Sequence, residues 1–210
     1  MPNDRLDLIV HPIPTLIFFL VGFIIGSIPF GYLISKLEGI DIRHYGSKNI
    51  GFTNVYRILG PKYAVPVLVL DMLKGFLPTF LSKPFNNLAV VIGLGTILGH
   101  TFTPWLYFRG GKGVATTIGV ALALIPEVLL AGILIYSLVL IFFRYVSLAS
   151  IIFGISLPIL VLFFNPGNKL LLTTSTIIGI LIIIRHYTNI LRLINRVEPK
   201  FDYTKFFKKK

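Results

Sequence analysis

"VSLASIIFGISLPILVLFF", residues 146–164, carries no charged side chain over the length that an α-helix needs to cross a lipid bilayer. Other apolar runs recur along the 210-residue chain, which is 55% hydrophobic and 13% charged. Soluble domains are more highly charged than this. Since a bilayer allows only helices and closed barrels to span it, long apolar runs of this kind predict an all-α integral membrane protein.

Seven apolar segments are predicted to cross the membrane as one bundle, which makes residues 1–210 a single transmembrane domain. Their approximate bounds are 13–37, 63–82, 88–108, 114–126, 128–143, 146–164 and 170–194. Pro126 either separates the fourth and fifth segments or kinks one long helix, so six spans is the competing count. The first 12 residues lack the basic cluster of a signal peptide, and we expect the first span to be retained.

The positive charge is distributed unevenly between the predicted loops. With the N-terminus outside, the outer side receives only Arg5, Lys83 and Lys169 of the 20 Lys and Arg residues, and Lys74 lies within a span. All the others fall on the opposite side, which the positive-inside rule assigns to the cytoplasm together with the C-terminus. The basic tail at 205–210 follows a span and favours an anchor on anionic membrane lipid, so no nucleic-acid partner is expected.

Three polar clusters fall on the predicted cytoplasmic side. The first lies within residues 41–60 and crowds hydrogen-bonding groups around cations, namely Ser47, Asn49, Thr53, Asn54 and Arg57. If 53–57 is helical, Thr53 and Arg57 lie one turn apart on one face. The alternative is a solvated loop whose cations only set the topology.

Glycines surround a lysine in the second cluster, "RGGKGV" at 109–114. Gly110, Gly111 and Gly113 can turn backbone N–H groups toward an anion, Lys112 adds charge, and the following helix adds its positive N-terminal end. This pattern predicts a phosphate cradle. It is not a Walker A loop, because Gly113 follows the lysine where Ser or Thr is required. A flexible loop with two topology-setting cations is the alternative.

The third cluster lies at the end of the last span, where His186, Asn189 and Arg192 recur at intervals of three residues and share a helical face. Ionisable groups at membrane depth are functional candidates by default. Asp71 and Lys74 are also three residues apart, within the second span, and are predicted to form a mutually satisfying pair. Three clusters on one side of the membrane predict one anion site for a substrate with a phosphate and an acyl chain.

The chain resembles the acyl-phosphate-dependent glycerol-3-phosphate acyltransferases of bacterial membranes, the PlsY family. The resemblance covers nearly the whole chain and rests on ordered motifs, "GSIPFG", "DIR..GS.NIG.TNV.R.LG", "LD.LKG", "GH.F", "GGKGVAT", "RYVSLAS" and "RH..NI.RL...E". It implies transfer of a fatty acyl group from acyl phosphate to the sn-1 hydroxyl of glycerol 3-phosphate. The products are lysophosphatidic acid and phosphate, in the first step of phospholipid synthesis. It implies neither a metal ion nor a cofactor.

The resemblance also implies roles for individual residues. The catalytic positions are Ser47, Arg57, Lys112, His186 and Asn189. The substrate-binding positions are Ser150, Asn49, Thr53, Asn54, Gly110, Gly111, Gly113 and His100. The general base is either His186 or a substrate phosphate. Lys48 and Arg196 stand where the family usually has glycine, and Phe52 stands where it usually has alanine.

Two other classes of function fit a cationic membrane protein. An anion transporter predicts polar residues that continue through the spans and an inverted repeat, and the sequence shows neither. A structural membrane protein predicts that the polar clusters tolerate replacement. The chain contains no cysteine, which excludes disulfides and thiolate chemistry and is compatible with direct acyl transfer.

Overall fold

The computed structural model describes residues 11–206, which fold into ten α-helices without a strand. The prediction of an all-α chain is confirmed. The expectations for residues before 11 and for the end of the basic tail at 207–210 lie outside the described residues. The helices are α1 Pro12–Gly26, α2 Phe30–Leu37, α3 Phe52–Leu59, α4 Pro61–Leu81, α5 Asn87–Thr101, α6 Val114–Leu124, α7 Pro126–Phe143, α8 Val146–Phe164, α9 Lys169–Arg185 and α10 Tyr187–Ile194.

All seven predicted apolar segments contain helices, but they differ in length. By length and composition, five segments within residues 11–206 can cross a membrane, namely Pro12–Leu37, Pro61–Leu81, Asn87–Leu106, Pro126–Phe143 and Val146–Phe164. The pair of α9 and α10, bent by 56°, makes a sixth if it is one span. Pro126 begins α7, so the fourth and fifth segments are separate helices. The fourth, α6, has 11 residues and extends about 16 Å, against a hydrocarbon core of roughly 30 Å.

A break interrupts the first predicted segment, 13–37, for which the sequence predicted one continuous span. α1 ends at Gly26 and α2 begins at Phe30, directly after Pro29. Proline has no backbone N–H and cannot continue the hydrogen-bond ladder of a helix. The carbonyl of Ile28, in the break, accepts a 2.7 Å hydrogen bond from the ammonium of Lys74 on α4. A buried side chain of the second span therefore caps the break in the first.

Small residues let neighbouring helices approach closely. α1 packs along α5, α4 along α6, and α8 between α7 and α9. A Cβ added at Gly99 of α5 would collide with the backbone carbonyl of Phe23 on α1, and one added at Gly154 of α8 would come within 3.1 Å of Ile182 on α9. Without water to expel, helix association in lipid relies on such close packing.

Four connecting regions meet at one end of the bundle. Residues between 47 and 57, 112 and 115, 146 and 150, and 186 and 202 contribute to the walls of the same cavity. These regions follow α2, α5, α7 and α9, so α6 begins at the cavity end and α7 ends there. The tertiary fold thus gathers loops and helix ends that lie more than a hundred residues apart in the chain.

Candidate active site

A cavity of about 170 Å³ brings the three sequence clusters together. Its walls include all five residues predicted as catalytic and most of those predicted to bind substrate: Ser47, Asn49, Thr53, Asn54, Arg57, His100, Lys112, Gly113, Ser150, His186 and Asn189. Leu68, Ile118 and Tyr136 add an apolar wall that lies among the spans. The cavity therefore combines cations and hydroxyls with a surface that suits a hydrocarbon chain.

Asn54 of α3 holds the loop that presents Ser47. Its side-chain oxygen accepts from the backbone N–H of Ser47 at 2.9 Å, and its amide nitrogen donates to the carbonyls of Tyr45 at 3.0 Å and Asn49 at 2.9 Å. The Asn49 side chain in turn accepts from the N–H of Gly51 at 2.9 Å. Because the Asn54 amide is engaged with the backbone, its contribution to the site is to shape this loop.

Two departures from the family pattern fall at left-handed backbone positions. Lys48, next to Ser47, has a φ of 60°, and Arg196, after α10, has a φ of 57°. Glycine adopts this region without the steric cost that other residues bear there. The left-handed backbone explains why the family usually has glycine at these two positions. Neither residue lines the cavity, so these two departures leave its wall intact.

Thr53 and Arg57 lie one turn apart on α3 and both line the cavity, as the spacing predicts. Arg57 is half-buried. Burial lowers the pKa of the Arg57 guanidinium, and the nearby Glu198 carboxylate offsets part of this effect. Arginine stays protonated in proteins, so Arg57 supplies a fixed positive charge.

The glycine loop is built differently from the predicted phosphate cradle. The N–H of Gly110 donates to the carbonyl of Thr101 at 3.1 Å, and the N–H of Gly111 donates to the carbonyl of His100 at 3.0 Å. Both N–H groups are thus engaged with the end of α5, and neither glycine lines the cavity. A Cβ at Gly111 would collide with the imidazole of His100, so the close approach of the loop to His100 requires glycine at this position. Gly113, with a φ of 83°, does line the cavity.

Lys112 and the start of α6 form the cationic wall. The Lys112 ammonium donates to the side-chain oxygen of Asn189. Val114 and Ala115, in the first turn of α6, line the cavity, and no side chain caps this turn. Uncapped N–H groups and the helix dipole favour an anion there. Burial lowers the pKa of Lys112 to about 8; Glu198 opposes this shift and neighbouring arginines add to it.

A bend places His186 at the cavity. α9 ends at Arg185 and α10 begins at Tyr187, so the predicted last span is not straight. The buried His186 ring makes a 2.8 Å hydrogen bond from Nδ1 to the carbonyl of Ile182. Because a carbonyl only accepts, Nδ1 carries a proton, which leaves Nε2 of the neutral ring as an acceptor. His186 and Asn189 both line the cavity across the bend.

Glu198 organises this cluster and was missed by the sequence analysis. Its Oε1 accepts from Asn189 at 2.6 Å and from Ser147 at 2.7 Å, and its Oε2 accepts from Arg192 at 2.6 Å. Burial raises the pKa of Glu198, but the hydrogen bonds from Arg192, Ser147 and Asn189 outweigh burial and bring it below its ordinary value. The ionised Glu198 fixes the Asn189 amide so that its oxygen faces Lys112. The one signal in the sequence was its place at the end of the last quoted motif.

The segment after α10 closes one side of the cavity. Phe201 stacks on Tyr56 of α3 with ring centroids 4.8 Å apart, and the Tyr56 hydroxyl donates to the carbonyl of Asp202 at 2.6 Å. Ser150 of α8 lines the cavity, donates to the carbonyl of Val146 at 2.8 Å and is hydrogen-bonded to the Tyr136 side chain.

Asp71, Lys74 and His100 form an ion cluster at the inner wall of the cavity. The predicted pair is confirmed, with Lys74 Nζ 2.7 Å from Asp71 Oδ1. His100 Nδ1 lies 3.5 Å from the same oxygen. The resemblance implies a substrate-binding role for His100, and the structure places this residue at the cavity wall, against Asp71 and the glycine loop. Within residues 11–206, no group of three or more His, Asp and Glu side chains is arranged to hold a metal ion.

Comparisons with known proteins identify the family of the chain. A family model described as glycerol-3-phosphate acyltransferase matches residues 16–196. The glycerol-3-phosphate acyltransferase of Fusobacterium nucleatum is 47% identical over 190 residues, which cover 89% of this chain and 97% of that protein. The one of Aquifex aeolicus is 45% identical over 184 residues, covering 86% and 95%.

Solved structures show the same fold. The crystal structure of PlsY, an integral membrane glycerol 3-phosphate acyltransferase, in its glycerol 3-phosphate form has a TM-score of 0.86 at 41% identity, covering 93% of this chain and 99% of that one. Its lysophosphatidic acid form has a TM-score of 0.83 at 41% identity, covering 92% and 99%. The chain is thus an integral membrane protein and belongs to the glycerol-3-phosphate acyltransferase family.

Proposed function

We propose that this protein transfers a fatty acyl group from acyl phosphate to the sn-1 hydroxyl of glycerol 3-phosphate, giving 1-acyl-glycerol 3-phosphate and phosphate. The observation that carries the proposal is a cavity whose walls combine cationic groups, from Arg57, Lys112 and the start of α6, with apolar side chains among the spans. Two anionic substrates, one of them with a hydrocarbon chain, match this division. Together with the family, it favours the acyltransferase over the transporter alternative.

The reaction requires the glycerol hydroxyl oxygen to attack the acyl carbonyl carbon. A C–O bond forms, the bond between the carbonyl carbon and the phosphate oxygen breaks, and phosphate leaves. Lys112 and the first turn of α6 stabilise the phosphate and its developing charge, while Arg57 holds the second anion. Ser47, Ser150 and Asn189 orient the substrates by hydrogen bonds. Proximity and electrostatic stabilisation supply the acceleration, and a good leaving group makes a covalent acyl-enzyme unnecessary.

The proton of the attacking hydroxyl passes to Nε2 of His186 or to a substrate phosphate. The hydrogen bond from Nδ1 to Ile182 leaves Nε2 able to accept it. A His186→Gln variant distinguishes the two routes, because glutamine retains a hydrogen-bonding group without a titrating nitrogen. Retained turnover with an unchanged pH profile would assign the proton to phosphate, whereas loss of turnover that pH does not restore would assign it to His186.

We place the protein in the bacterial inner membrane with the cavity toward the cytoplasm. The loops that line the cavity carry most of the lysine and arginine residues, which the positive-inside rule assigns to the cytoplasmic side. The absence of cysteine makes the orientation testable with single-cysteine variants. In intact spheroplasts, a membrane-impermeant maleimide is expected to label Lys169→Cys directly and Lys62→Cys only after permeabilisation. The reverse pattern would overturn the orientation.

The activity is tested by phosphate release from palmitoyl phosphate, with and without glycerol 3-phosphate, by the purified protein in lipid. Acceptor-dependent release is expected from the natural chain and from an Arg109→Ala control, which removes an exposed cation of the same loop. A Lys112→Ala variant is expected to lose it. No acceptor-dependent release from folded protein would contradict the acyltransferase, and solute flux into liposomes without acyl phosphate would favour a transporter.

A further inference from the structure

Arg185 joins the end of α9 to the glycine loop. One terminal nitrogen of its guanidinium donates to the carbonyl of Gly110 at 2.9 Å, and its Nε donates to the carbonyl of Gly111 at 3.3 Å. Its guanidinium also lies 5.9 Å from the ring centroid of Phe102. Arg185 is half-buried and does not line the cavity, so it acts on the site through the loop.

The two carbonyls fix the peptide planes that precede Lys112. In a trans peptide the C=O and the N–H point in opposite directions. The peptide that joins Gly110 to Gly111 directs its oxygen to Arg185 and its N–H to the carbonyl of His100, 3.0 Å away. In the next peptide, which joins Gly111 to Lys112, the oxygen also points to Arg185, so the N–H of Lys112 points away from Arg185. The loop is therefore clamped between the ends of α5 and α9.

We infer that Arg185 is a positioning residue for acyl transfer, which holds the Gly110–Gly111 backbone so that Lys112 reaches the phosphate of the substrate. The inference rests on the proposed acyltransferase function. Arginine suits this position because adjacent N–H groups of one rigid plane reach two neighbouring carbonyls. Lysine keeps the charge but presents it as a single point on a flexible stem, so it cannot hold both planes in the same geometry.

The test compares Arg185→Lys and Arg185→Gln with the natural chain, using steady-state acyl transfer and the inhibition constant of inorganic phosphate. A displacement of about 1 Å at a reacting group can cost on the order of 100-fold in rate, so we expect Arg185→Gln to lower kcat/KM by about that factor. The inhibition constant of phosphate is expected to rise by about tenfold or more. Arg185→Lys is expected to recover part of both losses. Arg196→Gln, which removes an exposed cation, is the matched control.

A merely structural role would lower the yield of folded protein while the molecules that remain kept the natural KM and phosphate inhibition constant. If both Arg185 variants fold and retain these constants and kcat, the inference is wrong. If Arg185→Gln does not fold, Arg185→Lys alone decides, since an unchanged phosphate inhibition constant in it overturns the inference. Inactivity of the natural chain would instead refute the proposed function, so the two failures are distinguishable.

Discussion

Two ion pairs, one fully buried and one partly exposed, serve different parts of this molecule. Asp71 and Lys74 lie 2.7 Å apart on one helix, with side chains 4% and 2% exposed. Glu198 and Arg192 lie 2.6 Å apart, and the Arg192 side chain is 32% exposed. Lys74 of the first pair also donates to the carbonyl of Ile28, in the break between α1 and α2. Glu198 of the second pair also accepts from Asn189, whose side-chain oxygen accepts from Lys112. The role of an ion pair therefore depends on its other hydrogen bonds. Those of the first pair stabilise the bundle, and those of the second pair position residues of the active site.

The largest expected effect comes from breaking the first pair. Asp71→Asn leaves the Lys74 ammonium buried without a counter-charge, and breaking a buried pair typically costs about 3–5 kcal/mol. We expect the unfolding temperature in detergent to fall by on the order of 10 °C. The measurement compares the thermal unfolding of Asp71→Asn with that of Glu127→Gln, a control that removes an exposed carboxylate. An unchanged unfolding temperature for Asp71→Asn would show that Lys74 does not need its partner.

Breaking the second pair is expected to affect turnover more than folding. Glu198→Gln keeps the size of the side chain but removes the charge that Arg192 and Asn189 bind, so the Asn189 amide is free to rotate away from Lys112. We expect kcat/KM to fall by on the order of 100-fold, about 2.7 kcal/mol. The fall in unfolding temperature should be smaller than that of Asp71→Asn. If stability collapses while the folded fraction keeps the natural kcat/KM, the two pairs do not differ as described.

The charge on Lys112 predicts that turnover depends on pH. Because burial lowers the pKa of Lys112 to about 8, the free enzyme loses this cation as the pH rises through that value. We expect kcat/KM to fall about tenfold per pH unit above it. Lys112→Arg should remove this alkaline limb, since arginine stays protonated. A limb that persists in the variant would belong to another group.

The smallest expected effect comes from removing the Ser147 hydroxyl, one of the hydrogen-bond donors to Glu198. Ser147 donates to Glu198 at 2.7 Å, and Glu198 keeps its bonds to Asn189 and Arg192 when this donor is lost. We expect Ser147→Ala to lower kcat/KM about fivefold, corresponding to about 1 kcal/mol. A loss equal to that of Glu198→Gln would mean that Ser147 contacts the substrate itself.

The sequence anticipated contacts that are local in the chain. The pair of Asp71 and Lys74 follows from a spacing of three residues on a helix, and Thr53 with Arg57 follows from a spacing of four. The helical segments follow from the length of the apolar runs. One local detail was missed, the break before Pro29 that divides the first predicted segment into two helices. The short fourth segment was anticipated and corresponds to α6.

By itself, then, the sequence determined an all-α membrane chain, its family motifs and the polar clusters of its site. Only the tertiary structure decided how those clusters connect. Glu198 reaches Asn189 and Ser147, and Arg185 reaches Gly110 and Gly111, across separations that no periodicity encodes. The N–H groups of these glycines bind carbonyls at the end of α5, in a close approach that leaves no room for a side chain. Hydrogen-bond partners depend on how helices pack in space, whereas helix formation and burial follow from the order of the residues.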